Sequence, residues 1–293
     1  MKRVGIIGVG LLGTAVASRL LEGGFDVVGY DTRPAQPAAL AARGLRPAAS
    51  LLEAAAEADV VFTILPSLEA VDAAIRGPGG LLETAPPTAT IVQMSTISPT
   101  LTRALGAAAA QRGIGFLDAP MSGTSAMVAR GDCTIFVAGD RPRADACRSV
   151  FDAIARKTIY VGAIGLATLA KLATNLLVGL NTAAVAEALV LGAKGGLDPA
   201  QLLAILKESA AGSRMLEVRG PLMVSHRFEP QMKAELFLKD FKLMLEEGLR
   251  VGAPLPLTSL TEQLTVATVA AGHGGEDIAA IITALERMAG LER

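Results

Sequence analysis

The stretch Ile7-Gly8-Val9-Gly10-Leu11-Leu12-Gly13 constrains the fold of this chain more than any other. An apolar run, Val4 to Gly8, leads into it, helix-forming residues from Thr14 to Leu21 follow, and Phe25 to Tyr30 is a second apolar run. Three glycines in this strand–turn–helix–strand setting describe a turn that cradles a phosphate. The first glycine makes the turn tight, the second lets the backbone approach a pyrophosphate, and the third lets the helix pack closely on the sheet. The helix N-terminus adds unpaired N–H groups and the positive end of its dipole. Val9, Leu11 and Leu12 supply backbone between the glycines and belong to the same candidate cofactor-binding turn. Asp31 ends the second run, about 20 residues beyond Gly8, where a carboxylate that accepts ribose hydroxyls is expected. Such a carboxylate repels a 2′-phosphate, so Asp31 favours NAD over NADP, while Arg33 is placed either to stack on adenine or to meet a phosphate.

The 293 residues are long enough for two domains, and with 51% apolar residues the chain can bury a sizeable core. A net charge of −1, no tryptophan and no basic stripe interleaved with aromatics argue against nucleic acid as a partner. Cys133 and Cys147 form neither a disulfide framework nor a zinc spacing, so no metal site is expected and a reducing, cytoplasmic setting is. Met1-Lys2-Arg3 before an apolar run mimics the start of a signal peptide, but the glycine turn interrupts it. Leu172 to Leu191 is the longest apolar region; Thr174, Asn175, Asn181 and Glu187 interrupt it and argue against a membrane span.

Short apolar strands alternate with helical stretches through about residue 162. Strands are predicted at Val4–Ile7, Val27–Tyr30, Val60–Leu65, Thr90–Met94, Gly115–Leu117, Thr134–Val137 and Ile159–Val161. This alternation implies an α/β Rossmann-type, doubly wound, mostly parallel sheet. Beyond Gly162 no strand is predicted, and an all-α C-terminal domain is expected. Ile164 to Lys194 reads as one helix about 45 Å long, apolar on nearly every face, which calls for burial between domains or between subunits. Further helices are predicted at Pro199–Ala210, Arg214–Val224, Lys233–Gly248, Pro256–Ala271 and Ile278–Ala289. The expected organisation is a dinucleotide-binding domain over 1–162, a long interdomain helix over 163–194, and a helical substrate or oligomerisation domain over 195–293.

A dinucleotide points to hydride transfer, for which the protein supplies orientation and a proton. His226 and His273 both fall in turn-like sequence and read as surface or structural residues. Lys171 lies among Leu169, Ala170, Leu172 and Ala173, with Asn175 four residues later on the same helical face. Apolar walls lower a lysine's pKa and suit it to general acid/base work, with the Asn175 amide holding a substrate oxygen beside it. Spacing alone leaves this reading open against a snorkelling lysine and a helix-packing asparagine.

Six segments together resemble the β-hydroxyacid dehydrogenase family, which includes 3-hydroxyisobutyrate dehydrogenase and tartronate semialdehyde reductase. They are the Gly8–Gly13 turn, Leu65-Pro66, Met94-Ser95-Thr96-Ile97-Ser98-Pro99, Leu117-Asp118-Ala119-Pro120-Met121-Ser122-Gly123, Gly165 with Lys171 and Asn175, and Lys239-Asp240. They stand in the family's order and span nearly the whole chain. The resemblance implies that Lys171 is the catalytic acid/base, that Ser122 and Gly123 bind the substrate carboxylate, and that Asn175 orients the reacting oxygen. It places Leu65, Pro66, Thr96 and Lys239 near the nicotinamide end of the cofactor and reads Asp240 as structural. It implies an NAD(P)-dependent enzyme that interconverts a small β-hydroxyacid, or a related short hydroxyacid, with its semialdehyde, as a homodimer or homotetramer.

The chain departs from the family pattern at a few positions. Thr124, with Ser125 after it, replaces the family's usual second glycine and adds hydroxyls either to the acid-binding loop or as turn caps. Thr174-Asn175 replaces an Asn-Asn pair, and Ala167 replaces a glycine. Two other readings share the architecture: an imine reductase, which usually has another residue at position 171, and a non-catalytic dinucleotide-binding interaction protein, which loses the lysine. A decarboxylating phosphogluconate dehydrogenase typically has histidine where Thr174 stands.

Overall fold

The computed structural model describes residues 3–291. Its first elements are β1 (Arg3–Ile7), α1 (Leu11–Glu22), β2 (Asp26–Tyr30), α2 (Ala35–Ala38), β3 (Arg46–Pro47), α3 (Leu51–Ala55) and β4 (Val60–Thr63). Next come α4 (Leu68–Arg76), α5 (Leu81–Thr84), β5 (Thr90–Gln93), α6 (Pro99–Gln111), β6 (Gly115–Asp118), β7 (Met121–Ser122) and α7 (Ser125–Ala129). β8 (Thr134–Gly139), α8 (Arg141–Ala146), α9 (Arg148–Ile154) and β9 (Lys157–Gly162) complete the alternating part. Helices follow: α10 (Leu166–Lys194), α11 (Pro199–Glu208), α12 (Arg214–Ser225), α13 (Ala234–Val251), α14 (Pro256–Thr268) and α15 (Ile281–Met288). The chain divides into two compact units between Lys171 and Leu172, inside α10.

In the first unit one sheet runs β3-β2-β1-β4-β5-β6-β8-β7, with β9 beside β8. The strands from β3 to β6 are all parallel, whereas β8 runs antiparallel to β6 and β7 and parallel to β9. Alternate side chains serve two cores. Val4, Ile6, Phe62, Val92 and Leu117 pack with Val16 and Leu20 of α1 and Phe151 of α9. Ile7, Val61, Ile91 and Phe116 pack with Ile75 of α4 and Leu105 of α6. Strands covered on both faces read as continuous apolar runs, which is why they stand out in the sequence. β3 and β7, two residues each, carry no such run and escape sequence reading.

The second unit is helical. Among its described residues the only β pairing is an isolated bridge, Lys233 with Asp277. Its core gathers Leu189, Leu203, Leu216, Met223, Ile281 and Ile282. Asp198 caps α11 through the N–H of Gln201, with Pro199 in the first turn, as the Asp-Pro pair predicts. α10, expected to be buried between domains or between subunits, carries buried, half-buried and exposed positions in the single chain. α10 is long and apolar enough to cross a membrane, and fewer than a third of the residues in its apolar stretch are fully buried.

Candidate active site

The glycine turn joins β1 to α1 and is built for close approach. Gly8 has φ +98°, and a Cβ there would lie 2.2 Å from the Ile64 carbonyl oxygen; one on Gly13 would lie 2.0 Å from that of Gly8. Gly10 caps α1 without any side-chain acceptor, and a Cβ on it would meet only Arg33 Nη2, at 3.6 Å. The Val9 N–H donates to Asp31 Oδ2 at 2.9 Å, which ties the turn to the end of β2. Asp31 Oδ1 accepts from the Arg33 backbone N–H at 2.9 Å and from Arg33 Nε at 3.2 Å. Burial alone would raise the Asp31 carboxyl, but these donors and the guanidinium charge hold it below its ordinary value. A cavity of about 330 Å³ beside the turn is lined by Gly10, Leu11, Thr14, Arg33, Gln36 and Leu40, among others. An uncapped helix start, two positions that exclude any Cβ, and an ionised carboxylate fit a dinucleotide: its pyrophosphate against α1 and its ribose at Asp31.

Strand order reverses between β1 and β4, and parallel α/β sheets bind ligands at such a switch point, beyond the carboxyl ends of the strands. β4 leads there into Leu65-Pro66 and β5 into Ser95-Thr96. Ser95 Oγ accepts the Leu65 N–H at 2.9 Å, and the Gln93 amide donates to the Ser95 carbonyl at 2.9 Å while accepting the Ser95 N–H. Buried Gln93 and Ser95 thus brace the two loops that hold Leu65, Pro66 and Thr96. Sequence reasoning missed both. The available signal was two polar residues at the end of an otherwise apolar strand.

The loop after β6 brings Ser122 onto β7, opposite Thr134 of β8. Gly123 follows at φ +154°, where a Cβ would lie 2.9 Å from Cys133 Cβ, so this turn requires glycine. Thr124 Oγ1 accepts the Met127 N–H at 3.3 Å and caps α7, which engages its hydroxyl in the turn. Lys171 is buried in the second turn of α10.

Asn175, one turn beyond Lys171 and also buried, donates through Nδ2 to Asp240 Oδ2 at 2.7 Å. A carboxylate only accepts, so this contact fixes which end of the amide is nitrogen and leaves Oδ1 and the second N–H for another partner. Lys239 Nζ lies 3.2 Å from Asp240 Oδ1. Asp240 thus holds both its neighbour Lys239 and the distant Asn175, and no local spacing reveals the second of these.

The other reactive side chains have structural partners. His226 Nε2 meets Glu286 at 3.1 Å, and His273 Nδ1 meets Glu276 at 2.8 Å. Burial pushes the thiols of Cys133 and Cys147 up to about 11. Among the described residues no group of three or more His, Cys, Asp or Glu side chains could hold a metal ion.

Residues 3–162 match the family model for the NAD binding domain of 6-phosphogluconate dehydrogenase, and residues 165–285 that for the NAD-binding domain of NADP-dependent 3-hydroxyisobutyrate dehydrogenase. The chain is 34% identical to 2-(hydroxymethyl)glutarate dehydrogenase of Eubacterium barkeri over 290 residues, covering 99% of this chain and 96% of the relative. It is 34% identical to L-threonate dehydrogenase of Cupriavidus necator over 282 residues, covering 96% and 95%. The solved structure of Mycobacterium tuberculosis 3-hydroxyisobutyrate dehydrogenase with L-serine superposes with a TM-score of 0.89 at 31% identity, covering 97% and 99%.

Proposed function

The chain belongs to the β-hydroxyacid dehydrogenase family, NAD(P)-dependent oxidoreductases that act on the CH–OH group of small hydroxyacids, and from that premise we propose that Lys171 is its general acid/base and NAD its preferred cofactor. The observation that carries this reading is the α10 face bearing Lys171 and Asn175, with the Asn175 amide oriented by Asp240. In the oxidising direction Lys171 takes the proton of the substrate hydroxyl, and in the reducing direction it returns one. Asn175 offers its second N–H to the reacting oxygen. The Ser122 hydroxyl and the Gly123 N–H take the substrate carboxylate, and Thr124 shapes that loop through its cap on α7. Bound NAD(P) supplies or accepts the hydride. Gly8, Val9, Gly10, Leu11, Leu12 and Gly13 with Asp31 and Arg33 hold the adenine half, and Leu65, Pro66, Thr96 and Lys239 serve the nicotinamide half.

The substrate in this reading is a short β-hydroxyacid or its semialdehyde. The uncovered apolar residues of α10, with exposed Leu249, Leu257 and Leu260, favour a homodimer or homotetramer. Two buried, protonated thiols suit a reducing compartment, which favours the cytoplasm.

The test is a panel of 2-(hydroxymethyl)glutarate, L-threonate, L-serine, 3-hydroxyisobutyrate and tartronate semialdehyde, followed through nicotinamide absorbance with each cofactor. At least one acid is turned over, and Lys171→Ala lowers its kcat by about 100-fold or more while NADH still binds. Near-full turnover by Lys171→Ala with normal cofactor binding would remove the lysine from the mechanism.

A further inference from the structure

We propose that Asp118 is a positioning residue for Lys171: its carboxylate fastens the first turn of α10 to the strand that leads into the Ser122-Gly123 loop. This rests on the reading of Lys171 as the acid/base. Asp118 is the last residue of β6 and is fully buried. Its Oδ2 accepts the N–H groups of Gly165 and Thr168, both at 3.0 Å, and its Oδ1 accepts the Thr168 hydroxyl at 2.7 Å. The Thr168 hydroxyl also lies 3.1 Å from that of Thr102 of α6. The anion thus sits on the helix end whose free N–H groups and dipole favour it.

The placement matters for catalysis because of what lies on either side. Thr168 is three residues before Lys171, on the same face of α10. Asp118 is four residues before Ser122, so one carboxylate joins the chain segments that carry the proposed base and the proposed acid-binding group. Packing alone does not need an acid here: Phe116, Leu117 and Ala119 around it are apolar and buried. A buried carboxylate costs desolvation, and burial pushes this one above its ordinary value even against the donors from Thr168 and Gly165. What it contributes that a methyl group does not is directional attachment of a helix end. Lys171 carries its amine on a long side chain, and a displacement of about 1 Å at a reacting group costs on the order of 100-fold in rate.

The experiment compares Asp118→Asn, Thr168→Val and Thr168→Ser with Lys171→Ala, using the acid of the panel that is turned over fastest. Readouts are kcat, KM, the pH profile of kcat, the NADH dissociation constant from fluorescence titration, and Tm. Asp118→Asn and Thr168→Val are expected to lower kcat about 10- to 100-fold and to displace the pH profile, with the NADH constant within about twofold of wild type. Thr168→Ser, which keeps the hydroxyl, restores most of the rate. Wild-type kcat in Asp118→Asn and Thr168→Val beside an inactive Lys171→Ala overturns the positioning role alone. An active Lys171→Ala overturns both that role and the acid/base reading. A Thr168→Val variant that loses NADH binding and Tm in step with kcat makes the contact merely structural and also overturns the proposal.

Discussion

Asp31→Asn tests how the adenine end is read. In the wild-type chain the two carboxylate oxygens accept three donors: the Val9 N–H, the Arg33 N–H and Arg33 Nε. A carboxylate has about four acceptor sites, so one remains for a ribose hydroxyl, and the largely exposed Arg33 guanidinium is the donor most readily exchanged for a second. Asparagine keeps one acceptor oxygen and turns the other into a donor that faces either Val9 or Arg33. A hydrogen bond to a charged acceptor is worth about 1.5–3 kcal/mol, so NADH should bind about 10- to 150-fold more weakly. NADPH loses no such bond, escapes repulsion from the carboxylate and gains a released Arg33. The NADH/NADPH ratio of kcat/KM should therefore fall by about 100-fold or more, with the dissociation constants from fluorescence titration moving in parallel. Stability adds a second readout. The folded carboxyl lies below its ordinary value, so its stabilising share is present above about pH 4 and is lost as pH falls through the folded value. The gap in Tm between wild type and Asp31→Asn should close on acidification. An unchanged cofactor ratio, or a wild-type enzyme that already prefers NADPH, would refute the reasoning.

Asp240→Asn places an amide against the Asn175 amide and removes the negative charge beside Lys239, so kcat/KM for the acid should drop by about tenfold or more while the fold persists; unchanged kinetics would return Asp240 to a purely structural role. Cys133 and Cys147, pushed up to about 11 by burial, should resist a disulfide reagent at pH 8 in the folded protein and react only on unfolding; fast labelling of native protein counts against their burial. Charge introduced on the uncovered helical surface, as in Leu249→Asp with Leu257→Asp, should lower the solution mass measured by light scattering; an assembly of unchanged mass would locate the interface elsewhere.

What the sequence reveals follows from how local each device is. The Gly8–Gly13 turn is legible because its three glycines act on neighbouring backbone, and a spacing of four residues is enough to put Lys171 and Asn175 on one face of a helix. Asp240 was not legible as a partner of Asn175, since the two lie on different helices and only tertiary packing joins them. β3 is likewise invisible: Arg46 and Pro47 become a strand only by pairing with Val28 and Gly29.

Gln93 and Asp118 sharpen the point. Each is a fully buried polar residue ending an apolar strand, and they are register partners on adjacent strands β5 and β6. Buried polar groups are nearly always hydrogen-bonded, so such a residue announces a partner that the sequence does not name. Here the partners are Ser95 for Gln93, and Gly165 and Thr168 for Asp118. Both carry loops or helix starts that lead into proposed ligand-contacting segments. The sheet accepts the desolvation of two polar side chains at its carboxyl end because that end anchors the loop after β5 and the start of α10. An apolar pair there would leave Ser95 after β5, and Gly165 and Thr168 at the start of α10, without these partners.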